Sequence, residues 1–90
     1  MIEVRADGPG TYAVTVREGG GETRHRVNMS AAQLARLAGG MSAEKVVEAA
    51  FRFLLDREPK ESILPAFDIS VISRYFPEFE RELPRYLAGS

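Results

Sequence analysis

The side chains able to do chemistry are few. His25 is the only histidine and cysteine is absent. A thiolate nucleophile, a disulfide or a cysteine-built zinc cluster is therefore excluded, and a lone histidine offers no recognisable metal set. Ser30 and Ser42 have no histidine placed to activate them and read as helix caps. Gly39-Gly40 lacks the length and the following lysine of a phosphate-cradling loop. Glu58, Glu61, Asp68, Glu78, Glu80 and Glu82 would be acid or base only as a convergent pair, and they are scattered over turns and exposed helical positions. No catalytic, cofactor-binding or metal-ligating residue is assigned, no cofactor is expected, and the reading leans against an enzyme. One group remains: Arg24, Arg26 and Asn28, alternating along an extended run, carry side chains that pair geometrically with nucleic-acid base edges.

The elements that must position them follow from periodicity. Ile2, Val4 and Ala6 alternate with Glu3 and Arg5. Tyr12, Val14 and Val16 alternate with Ala13, Thr15 and Arg17, and His25, Val27 and Met29 with Arg24, Arg26 and Asn28. A period of two marks half-buried strands. Asp7-Gly8-Pro9-Gly10 and Glu18-Gly19-Gly20-Gly21 supply the turns between them, so a three-stranded antiparallel meander in the order 1-2-3 is expected over residues 1–29.

Residues 30–58 read as two helices. Ser30-Ala31-Ala32-Gln33 fits a capping box, and Leu34 and Leu37 share a face before Gly39-Gly40 stops the helix. Ser42 caps the next, where Val46, Val47, Ala50, Phe51, Leu54 and Leu55 recur at helical spacing until Pro59. Over residues 59–90, Ile69, Ile72, Phe76, Phe79, Leu83 and Tyr86 follow steps of three and four, interrupted by Pro77 and Pro84. That spacing predicts a short turn around Ser70 to Tyr75, a helix opening near Pro77, and a kink or stop at Pro84. The whole is an α+β fold in one domain spanning residues 1–90: a three-stranded antiparallel meander followed by two helices and a proline-interrupted C-terminal helical segment.

Charge narrows the partners. Twelve basic and thirteen acidic residues give a net charge of −1, which argues against a broad polyanion-binding surface. No apolar run approaches the length of a membrane span, and the alternating N-terminus does not resemble a signal peptide; a soluble cytoplasmic protein with no membrane contact is expected. A chain of 90 residues has a thin stability margin and gains by sharing apolar surface. Self-association is therefore expected, together with a protein partner, and Phe53, Tyr75, Phe76, Phe79, Leu83 and Tyr86 are the candidate interface residues.

Residues 23–57, from Arg24-His25-Arg26-Val27-Asn28-Met29 through the capped helices to Ser42-Ala43-Glu44-Lys45, partly resemble the ribbon-helix-helix DNA-binding family. The resemblance implies a ribbon of paired strands from two subunits, with Arg24, Arg26 and Asn28 reading bases while Ser42 and Ala43, at the start of a helix, meet phosphate. It covers 35 of the 90 residues and departs from the family in its short first helix, its two preceding strands and its slightly acidic balance. The run Phe67-Asp68-Ile69-Ser70-Val71-Ile72-Ser73-Arg74-Tyr75-Phe76-Pro77 resembles the C-terminal stretch of small conserved bacterial proteins of uncharacterised function. The leading expectation is a non-enzymatic protein-interaction domain, homodimeric in form. The alternative is a ribbon-helix-helix transcriptional regulator or antitoxin-like protein.

Overall fold

Glycines at Gly19 and Gly20, with φ of +64° and +79°, close a two-residue hairpin loop that needs left-handed backbone at both positions. The loop joins β2 (Thr11–Glu18) to β3 (Gly21–Asn28), which pair antiparallel from Thr11↔Asn28 to Glu18↔Gly21. On the other side of β2 runs β1 (Ile2–Ala6), also antiparallel, from Ile2↔Val16 to Ala6↔Tyr12. These coordinates are a computed structural model that describes residues 1–89. The expected meander is present in the expected order.

The sheet has a fourth strand. β4 (Ala66–Asp68) lies parallel to β3 with Val27 beside Phe67, giving the order β1-β2-β3-β4. The three-stranded expectation is corrected here. Three residues are too few to display a period, and Pro65 immediately before them removes a donor. What makes the strand is tertiary: the Arg26 amide donates to the Pro65 carbonyl and the Ile69 amide to the Asn28 carbonyl, while Phe67 is drawn into the core. Two helices bridge β3 and β4, as a parallel connection requires.

Those helices are α1 (Ala31–Leu37) and α2 (Ala43–Leu55). The capping box at Ser30 is formed in both directions: the Gln33 amide donates to Ser30 Oγ at 3.1 Å and the Ser30 amide donates to Gln33 Oε1 at 2.8 Å. Ser42 Oγ accepts from the Lys45 amide at 3.3 Å. Helix α2 is buried almost all round, with Val46, Val47, Ala49, Ala50, Phe51, Phe53 and Leu54 inside. It is the middle layer, with Phe51 packed at a tilt against His25 and Phe67 of the sheet while Phe53 meets Phe79 and Tyr86 on the opposite side.

The outer layer is α3 (Ser70–Tyr75) and α4 (Phe79–Ala88), with a single 3₁₀ turn at Lys60–Ser62 before β4. The short turn over Ser70 to Tyr75 falls where the spacing placed it. The helix after it opens at Phe79, two residues later than expected, and it does not stop at Pro84. Phe79, Leu83 and Leu87 are buried on one face of α4, whereas Pro84 is exposed on the other. Burial along the apolar face therefore continues past the residue that breaks the ladder.

Candidate interaction surfaces

His25 is buried, and both ring nitrogens are engaged: Nδ1 lies 2.8 Å from the Leu64 carbonyl oxygen and Nε2 lies 2.8 Å from Thr23 Oγ1. The imidazole is thus a strut between β3 and the segment leading into β4. Asp68 accepts from the hydroxyl and amide of Ser70 and from the Gln33 side chain at 2.9 Å. The Ser70 hydroxyl foremost, then the Ser70 amide and Gln33, hold its carboxyl below the usual carboxylate range against the opposing effect of burial. Glu78 is held low by its own backbone amide and then by Arg57. These carboxylates stabilise the joints between elements. Among the described residues no three His, Asp or Glu side chains converge on a point that could hold a metal ion.

Arg24, Arg26 and Asn28 all project from the outward face of the sheet and are exposed. Across the strands they form rows with Arg5-Ala13-Arg26 in one and Glu3-Thr15-Arg24 in the next. Small residues on the central strand leave a shallow trough walled by long charged side chains. Its cations are largely answered by acids: Arg17 meets Glu3 and Glu22, Arg24 meets Glu22 at 2.9 Å, and Arg26 meets Asp7 at 2.7 Å. Arg24 first, then Arg17, lower the Glu22 carboxyl below its ordinary range. Arg5 has no ion-pair partner among the described residues. Strand β3 is hydrogen-bonded on both sides, by β2 along its length and by β4 from Arg26 to Asn28. A free β3 edge for an intersubunit ribbon is therefore missing over that stretch. Ser42 and Ala43 stand at the start of α2, Ser42 exposed and Ala43 packed against the core.

The six aromatic and aliphatic residues expected at an interface divide. Phe53, Phe79 and Leu83 are at most 1% exposed. They fill the chain's own core, so the interface expectation for these three is corrected. The reason is the all-round burial of α2: Phe53 packs edge-on against Phe76, Phe79 and Tyr86 with centroids 5.9, 5.0 and 5.8 Å away, and the Arg57 guanidinium lies 3.6 Å above its ring. Phe76 and Tyr86 are half-buried. Tyr86 clamps α4 to the end of α2, its hydroxyl donating to Asp56 while its carbonyl accepts from Arg52 at 2.9 Å. Tyr75 alone of the six is open, at 69% exposure.

Tyr75 lies on a feature the sequence did not single out. A groove of about 250 Å³ runs between α3, the end of α2 and the loop before β4, floored by Ile63, Phe67 and Ile72 and rimmed by Leu64, Tyr75 and Glu58. Leu64 is 45% exposed, so two of the three large apolar side chains most open to water flank one depression. Leu64 belongs to no periodic run. Its only signal is an apolar residue stranded beside Pro65, where neither a helix nor a strand face would bury it.

No family model, curated protein or solved structure matches the chain. No helix among the described residues is long and apolar enough to cross a membrane.

Proposed function

We propose that this chain is a small protein-interaction domain that acts without catalysis and as a homodimer. The observation that carries the reading is the groove beside Leu64 and Tyr75. Its floor is apolar, its rim exposes two large hydrophobic side chains, and Glu58 at its edge forms no ion pair with any described residue. The chemistry fits a partner segment that inserts one apolar side chain and carries a neighbouring lysine or arginine.

The test is selection of displayed random peptides against the protein, followed by NMR titration of the enriched sequences. Enriched peptides should share an apolar residue next to a basic one, shift amide resonances within residues 62–76, and lose affinity at least tenfold with Leu64→Glu. No enrichment, or enrichment of peptides that perturb other residues, overturns the groove as the docking site.

A DNA-binding reading is favoured by the shared outward face of Arg5, Arg24, Arg26 and Asn28. Against it stand Asp7 and Glu22, which already answer Arg26 and Arg24. Enrichment of a duplex from a random pool, with affinity that falls steeply with salt and is lost in Arg24→Ala with Arg26→Ala, would replace the interaction-domain reading.

A further inference from the structure

β1 forms one edge of the sheet, and its outward backbone groups can be identified. The Arg17 amide donates to the Met1 carbonyl and the Asp7 amide to the Thr11 carbonyl. Met1 and Asp7 thus turn their backbone groups toward β2. Alternate residues of an antiparallel strand bond to the same neighbour, so Glu3 and Arg5 face β2 as well. The N–H and C=O groups of Ile2, Val4 and Ala6 point away from the sheet, and they meet no hydrogen-bond partner among the described residues. The strand is regular through its five residues. It carries no proline or bulge, and its two charged side chains, Glu3 and Arg5, are of opposite sign, so they need not repel a second copy.

We infer that this edge pairs with β1 of a second copy of the chain, antiparallel about a twofold axis at Val4. The inference deepens the homodimer in the proposed function and is independent of the groove. Side-chain charge selects the register. Backbone parity allows Ile2, Val4 and Ala6 to face only their own kind. Centring the axis on Glu3 or on Arg5 would put like charges directly opposite each other. Centring it on Val4 sets each Glu3 against the partner's Arg5 on the outer face, and brings Ile2, Val4 and Ala6 together on the inner face. In that register Val4 exchanges both backbone bonds with the partner's Val4, and Ile2 does so with the partner's Ala6. Glu3 and the partner's Arg5 then form the non-hydrogen-bonded pair, where side chains approach most closely. Arg5, the cation of this face left without an acid among the described residues, gains one.

Sedimentation over a concentration series up to about 1 mM provides the test, using three single variants of the full chain. Wild type should form a reversible dimer. Glu3→Arg and Arg5→Glu each create like-charge pairs at both symmetry-related positions and should weaken the dimer by about tenfold or more. An equimolar mixture of those two variants restores opposite charges at both positions and should dimerise at least as well as wild type. Val4→Pro removes an amide that β2 does not use and should give a folded monomer; thermal unfolding of dilute samples checks the fold of every variant. A wild-type monomer throughout, single reversals without effect, or a mixture no tighter than its components would each overturn the pairing. Leu64→Glu leaves this edge intact, so loss of the groove and loss of the dimer are read separately.

Discussion

The Nδ1 of His25 lies 2.8 Å from the carbonyl oxygen of Leu64, and this one contact ties the meander to the segment that becomes β4. A carbonyl only accepts, so Nδ1 carries a proton. In the neutral ring Nε2 then accepts from the Thr23 hydroxyl, also 2.8 Å away. The ring packs against Phe51 with centroids 5.3 Å apart, so it joins loop, sheet and central helix.

Replacing it should loosen that joint first. His25→Ala is expected to cost about 1–3 kcal/mol in denaturant unfolding, through lost packing and the loss of the Leu64 bond. The amide of Arg26, which donates to Pro65 one residue beyond the joint, should exchange with solvent markedly faster. An unchanged exchange rate at Arg26 would show that β4 docks without the imidazole.

The aromatic residues of the outer layer should separate sharply in mutagenesis. Phe53 is fully buried between three rings and a guanidinium, and Phe53→Ala should cost about 3–5 kcal/mol. Tyr75→Ala should stay within about 0.5 kcal/mol of wild type, because that ring is open to water. Equal effects on urea midpoints would mean that α3 and α4 are packed differently.

The contrast also shows what was legible in the sequence. Strands, turns and caps are local events: Gly19-Gly20 makes its hairpin and Ser30 with Gln33 makes its box regardless of what lies across the fold. The apolar spacing of α2 predicted one buried stripe. It could not reveal that a second layer would also bury Phe53, because that depends on where α4 returns. β4 has no pattern of its own and exists through its bonds to β3, and the Leu64 groove is made by three elements meeting. The outward placement of Arg24, Arg26 and Asn28 followed from alternation alone, whereas the pairing of β3 on both sides did not.

Acid should weaken the fold partly through Asp68. Its carboxyl is held below the usual range in the folded state, chiefly by the Ser70 hydroxyl, so between the folded and the ordinary value the unfolded chain binds more protons. The resulting stabilisation is complete above the ordinary carboxylate value and disappears as pH falls through the depressed one. Glu78 acts in the same direction. Urea midpoints measured from about pH 6 to about pH 3 should therefore fall less steeply for Asp68→Asn than for wild type. Parallel curves would remove Asp68 from the account.

Two glycines test whether the turns are held by conformation alone or also by close approach. Gly10 has φ of +71°, and a Cβ built there would lie 3.2 Å from the Met29 carbonyl oxygen. The two backbones cannot part, because the Met29 amide donates to the Gly10 carbonyl at 2.8 Å. Gly19 has φ of +64°, but a Cβ there meets nothing within 4 Å. Gly10→Ala therefore incurs about 1–2 kcal/mol for left-handed backbone and a further cost for the crowded carbonyl. Gly19→Asn places a side chain that accepts positive φ at the first position of an Asn-Gly hairpin loop, and it also restricts the unfolded chain. Its unfolding midpoint should match wild type or exceed it. A loss for Gly10→Ala no larger than about 1–2 kcal/mol would mean that left-handed backbone alone accounts for Gly10, and that the contact between the first turn and Met29 contributes nothing measurable.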